Sequence, residues 1–134
     1  MKLVTFVHND HERIGAVDNA GRVVDLHRAY AAGRLEIEAR YAAEELAAAM
    51  LGRDMVEFLR RGERALEAAR QALAHAEKEP ASEYSFPSAQ IRLLAPVPRP
   101  GALISAGKNF SDHVSEMSSK KGPSNPVAFL KLPA

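Results

Sequence analysis

The 134-residue chain contains no cysteine and no tryptophan. Without cysteine it can form neither a disulfide framework nor a thiolate metal site, and it has no thiol nucleophile. Aromatic residues make up only 6%, and no charge dominates: eighteen Lys and Arg face seventeen Asp and Glu, a formal net charge of +1. Nucleic-acid binders concentrate basic residues beside aromatic platforms, so no nucleic-acid partner is expected. No window approaches the roughly 18–20 uninterrupted apolar residues of a membrane-crossing helix, so no membrane partner is expected either. The N-terminal run Met1-Lys2-Leu3-Val4-Thr5-Phe6-Val7 meets polar His8-Asn9-Asp10 too soon for a signal-peptide core. A reducing, cytoplasmic setting fits these absences.

What is present is a globular composition, 46% apolar and 26% charged. Residues 2–8 and 12–17 are apolar-rich and predict two strands about His8-Asn9-Asp10-His11. Asp18-Asn19-Ala20-Gly21 supplies a second turn ahead of Arg22-Val23-Val24-Asp25-Leu26. Together they predict a small antiparallel meander. From about residue 27 the composition shifts to Ala, Glu, Arg and Leu, all helix formers. Leu35, Ile37, Tyr41, Leu46, Ala49 and Met50 recur at helical spacing up to Gly52. Asp54 can cap a following helix with Glu57 as capping-box partner. Met55, Phe58, Leu59, Leu66, Ala69 and Leu73 continue an apolar stripe, interrupted at Gly62.

Residues 79–90 break every periodicity. Beyond them, Pro96, Pro98 and Pro100 alternate and enforce extended backbone. Ala102-Leu103-Ile104-Ser105-Ala106-Gly107 predicts another short strand. The expected organisation is α+β: an accessory domain over 1–79 built from a β-meander and helices, a linker over 80–90, and a β-rich region over 91–134. The final Leu130-Lys131-Leu132-Pro133-Ala134 reads as a strand running into a loop, which suggests a domain cut short.

The chemically dense stretch is Gly107-Lys108-Asn109-Phe110-Ser111-Asp112-His113-Val114-Ser115-Glu116-Met117. In a helical turn His113 and Glu116, at i and i+3, meet on one face. A carboxylate beside an imidazole fixes its tautomer and makes it a general base near neutral pH. The same spacing is also a common accident on solvated surfaces. His8 and His11, with Asp10 and Glu12, have metal-like spacing but fall on a solvated turn. His27 and His75 have no clustered partner. Lys120 and Lys121 lie in a polar stretch, and no GxGxxG dinucleotide fingerprint follows a strand.

Three ordered blocks carry a resemblance: Leu93-Leu94-Ala95-Pro96-Val97-Pro98-Arg99-Pro100-Gly101, then Gly107 to His113 with Glu116-Met117, then Pro126-Val127-Ala128-Phe129-Leu130-Lys131. In sequence and spacing they resemble the fumarylacetoacetate hydrolase superfamily. Lys2-Leu3-Val4-Thr5-Phe6, Arg13-Ile14-Gly15-Ala16-Val17 and Val23-Val24-Asp25-Leu26 resemble the front part of its longer bacterial members. Together the blocks cover about the first 40% of such an enzyme.

The resemblance implies a mixed-β-roll catalytic domain beginning near residue 91, whose first strands are present. It implies a metal-dependent hydrolase of carbon–carbon bonds in β-diketo and 2-oxo acids of fumarylacetoacetate or acylpyruvate type. His113 would activate water, oriented by Glu116 on a lid, while Lys131, Asn109 and Phe110 would contact substrate. The metal would be Mg²⁺ or Mn²⁺, in some members Ca²⁺, and the full-length enzyme a homodimer. The family's ligands, two Glu and an Asp, fall beyond residue 134, so no metal ligand is assigned here. Asp112 and Glu116 are the only acids after residue 90, too few for a hard divalent cation. Lys108 stands where the family more often has Leu or Arg, and Phe110 where Tyr is common, which leaves substrate choice open. Two alternatives are an isomerase or decarboxylase of the same superfamily, similar to 2-hydroxyhepta-2,4-diene-1,7-dioate isomerase, and a non-catalytic binding or assembly module.

Overall fold

Chain reversal begins at Asn9 and Asp10, whose φ angles of 49° and 60° both lie in the left-handed region that short polar side chains tolerate. This two-residue turn joins β1 (Lys2–His8) to β2 (His11–Val17) in antiparallel register, with His8 opposite His11 and Thr5 opposite Ile14. At the next reversal the Asp18 carboxylate accepts the backbone N–H groups of Ala20 and Arg22, at 2.9 and 2.8 Å. β3 (Val23–Asp25) then pairs with β2. The coordinates come from a computed structural model that describes residues 1–35, 39–79, 83–107 and 127–132. They fall into two compact units, Met1–Pro98 and Arg99–Ala134.

In the first unit the meander runs straight into helix. Asp25 ends β3 and caps α1 (Leu26–Ala32), its side chain accepting from the Arg28 N–H. The helix therefore begins one residue earlier than composition predicts, and Leu26 belongs to it rather than to the strand. α2 (Arg40–Leu51), α3 (Met55–Arg61) and α4 (Glu63–Lys78) follow. Asp54 caps α3 as expected, accepting from the Glu57 N–H at 2.8 Å. The Glu57 carboxylate reaches back to the N–H of Arg53, one residue before the cap. α1 packs against both α2 and α4.

The apolar stripe expected on these helices is only partly the one used. Met55 and Phe58 are buried, whereas Leu35, Leu59 and Tyr41 are exposed, Tyr41 at 73%. Ile37 lies outside the described residues. α4 turns Ala65, Ala68, Ala69, Ala72 and Ala76 into the core, with Leu66 and Leu73 at the margin. Alanine carries no rotamer cost and permits close helix approach, so the alanine bias is the packing code of this unit.

Residues 83–98 stay with the first unit. β4 (Ser85–Phe86) pairs with β3 and β5 (Arg92–Leu93) with β1, completing a five-stranded antiparallel sheet of order β4-β3-β2-β1-β5. One edge, β4, thus comes from the expected linker over 80–90, and the other, β5, from the start of the stretch read as a separate β-rich region. Edge strands two residues long leave their prolines outside the ladder, where no N–H is missed. Thr5 is buried, donates its hydroxyl to the Pro96 carbonyl at 2.8 Å, and accepts the Leu94 N–H through its own carbonyl. Ile14, Ala16 and Val24 join the helices in the main core. Phe6, Val23 and Phe86 form a second, smaller cluster.

Gly15 explains how Phe6 and Val23 come together. A Cβ there would stand 2.8 Å from Phe6 Cε1 and 2.9 Å from Val23 Cγ1. Gly15→Ala is expected to destabilise the chain by about 1–3 kcal/mol through overpacking, read as a lower urea midpoint at unchanged m-value. An unchanged midpoint would show that the cluster yields freely.

Candidate functional site

The second unit holds the strands that bracket the motif. β6 (Leu103–Gly107) and β7 (Val127–Lys131) pair antiparallel, with Leu103 opposite Lys131 and Gly107 opposite Val127. The chain therefore leaves β6 and enters β7 at one rung of the ladder, and residues 108–126 are the whole connection. Asn109, Phe110, His113 and Glu116 all fall in that connection, outside the described residues. Lys131 is described. It is exposed at the other end of β7, about 13 Å along the strand from Val127 at the usual rise, with its Nζ 6.0 Å from the centre of the Phe129 ring.

In the first unit, structure brings together three residues that sequence spacing does not connect. Arg13 lies on β2 two positions from Gly15, which is Asp25's register partner, so Arg13 and Asp25 share a sheet face. Arg13 Nη1 donates to Asp25 Oδ2 at 2.8 Å, and Asp25 is wholly buried. Two residues on, the His27 ring places Nε2 2.5 Å from the Gly52 carbonyl oxygen, tying the first turn of α1 to the corner between α2 and α3. Gly52 has φ +83° and no room for a side chain, since a Cβ would meet Glu57 Cβ at 2.7 Å. Burial lowers the His27 pKa below its ordinary 6.5, with smaller downward pushes from Arg13 and Arg61. Asp25 and the Gly52 carbonyl pull the other way. Sequence had assigned His27 no role. The available signal was Asp25 itself, an acid between an apolar strand and a helix start, where a cap belongs.

Beside this group a cleft of about 770 Å³ opens between β2, α1 and α2, with Arg13, His27, Arg28 and Arg40 among its lining residues. Arg28 pairs with Glu83 at 3.1 Å and Arg40 with Glu44 at 3.5 Å. Among the described residues no group of three or more His, Asp or Glu could hold a metal ion. His8 and His11 face each other across the first hairpin without such a cluster, and His8 lies against Phe86, ring centres 4.2 Å apart. The described donors thus do not fit a divalent cation.

No protein-family model matches the chain. Individual proteins do. The chain is 43% identical over 82 residues to the mitochondrial oxaloacetate tautomerase Fahd2a of Rattus norvegicus. It is 37% and 36% identical, over the same length, to mitochondrial oxaloacetate tautomerases FAHD2A of Bos taurus and Homo sapiens. These matches agree with the resemblance to the fumarylacetoacetate hydrolase superfamily carried by the three sequence blocks. Each match covers 61% of this chain but only 24% of the relative, so the chain spans about a quarter of the curated proteins it matches. Among the described residues, no helix is long and apolar enough to cross a membrane.

Two outcomes test the buried group. Asp25→Ala should cost about 3–5 kcal/mol, because it leaves the Arg13 guanidinium unpaired against the core, and chemical denaturation reads this. An Asp25→Ala chain of near-wild-type stability would mean that Arg13 turns freely to water. For His27 the sign follows from the lowered pKa. Above 6.5 both folded and unfolded states hold the ring neutral; below it the unfolded chain binds a proton that the folded chain resists. Stability should fall as pH drops from 6.5 towards the depressed folded value, and His27→Gln should flatten that part of the stability–pH curve. Parallel curves for both proteins would assign the slope to another group.

Proposed function

We propose that the chain is the front part of an enzyme that interconverts the keto and enol forms of a small 2-oxo dicarboxylate such as oxaloacetate. The observation that carries this reading is the 43% identity to a protein named as an oxaloacetate tautomerase. Tautomerisation asks for proton removal at the carbon next to a carbonyl and proton delivery to its oxygen, without net addition of water. An imidazole that titrates near neutral pH can do both, and His113, with Glu116 setting its tautomer, is the group assigned to it. Lys131, Asn109 and Phe110 are the assigned substrate contacts. An ammonium such as that of Lys131 stabilises a carboxylate or a developing enolate. In this reading residues 1–79 form the accessory domain and the β6–β7 hairpin belongs to a mixed-β-roll catalytic domain. A divalent metal, cytoplasmic location and homodimer assembly complete the proposal for the whole enzyme.

Hydrolysis of an acylpyruvate is the second reading. The three sequence blocks ending at Lys131 are compatible with it, because they resemble a superfamily that contains hydrolases as well as isomerases. The complete enzyme, though not this chain alone, is expected to speed the decay of enol-oxaloacetate, followed by ultraviolet absorbance, and His113→Ala in it to lose at least about 100-fold in rate, the scale of a missing general base. Cleavage of an acylpyruvate to pyruvate with no effect on the enol would favour the hydrolase instead. An undiminished rate in His113→Ala would remove the imidazole from either mechanism.

A further inference from the structure

The cleft between β2, α1 and α2 is not accounted for by the proposed chemistry, which rests on the second unit. Its volume, about 770 Å³, is in the range of small-molecule pockets. Guanidinium groups from three different elements line it: Arg13 from β2, Arg28 from α1 and Arg40 from α2. Ala31, Leu35 and Ala47 contribute apolar surface.

The hydrogen-bond inventory decides what charge the cleft can take. Each lining carboxylate already has a donor: Glu83 has Arg28, Glu44 has Arg40, and Glu79 accepts from the Tyr84 hydroxyl at 3.2 Å. Each guanidinium carries five N–H donors. Arg40 places only Nε on Glu44, at the long distance of 3.5 Å, and Arg13 places only Nη1 on Asp25. Arg13 Nε is buried without a hydrogen-bond partner among the described residues. The competing glutamates are weakly held, since Glu83 is 88% exposed and the Arg40–Glu44 pair is exposed on both sides; such pairs exchange readily with other anions.

We propose that this cleft binds a small organic carboxylate with an apolar body, its charge held by spare donors of Arg13, Arg28 and Arg40 and its carbon chain against Ala31 and Leu35. The residues that line this cleft include none assigned to the tautomerase reading, so failure of one would leave the other untouched. Titration of the ¹⁵N-labelled chain with sodium butyrate tests it. Saturable shifts should cluster on α1, Arg13 and Arg40, while butylammonium at the same ionic strength should leave those signals in place. The double variant Arg28→Gln, Arg40→Gln removes exposed ion pairs and one exposed bond to the Glu83 carbonyl, and should weaken butyrate binding by roughly fivefold or more with unchanged helical circular dichroism. Shifts that never saturate, that chloride reproduces, or that persist at wild-type affinity in the double variant would overturn the proposal.

Discussion

The contact between Arg13 and Asp25 organises the first unit. A carboxylate with no exposed surface must be paired and hydrogen-bonded, and Asp25 meets both demands at once. Its Oδ2 takes Arg13 from β2, its Oδ1 takes the Arg28 N–H and starts α1, and its backbone N–H donates to the Tyr84 carbonyl at 2.8 Å. One residue thereby ties the β2–β3 pairing, the helix start and the returning chain before β4. His27 extends the same junction to the α2–α3 corner through Gly52.

Small residues let the rest close around that junction. Gly15 admits the Phe6 ring and Val23 over β2, and five buried alanines on α4 let it lie against the core without long side chains. The second unit is a different object. The described side chains of β6 and β7 are largely exposed, with Ile104 at 78% and Leu130 at 63%, although the strands are mostly apolar. The first unit carries its own core. The hairpin carries the motif-bearing connection and almost no core of its own.

Much of this architecture was legible along the chain. The meander, both turns, the helical stretch, the Asp54 cap and the stops at Gly52 and Gly62 all follow from local rules about φ, capping and periodicity. The resemblance to the superfamily was legible too, because the blocks around Gly107–Met117 and Pro126–Lys131 hold residue types at fixed spacing. Other features were hidden for identifiable reasons. Ser85-Phe86 and Arg92-Leu93 are too short and too close to proline to show a strand period, yet they form both sheet edges. The core face of α4 was masked because alanine scores as a helix former before it scores as buried.

The proposed substrate chemistry stays with His113, Glu116 and Lys131, where sequence placed it, and the described hairpin adds the register that brackets the first two. By itself, then, the sequence determined element types and turns, which depend on residues within a few positions of one another. Tertiary structure alone decided the Arg13–Asp25–His27 group and the arginine-lined cleft. The Arg13–Asp25 bond joins residues twelve positions apart on different elements, and no local pattern encodes which charges will be buried together.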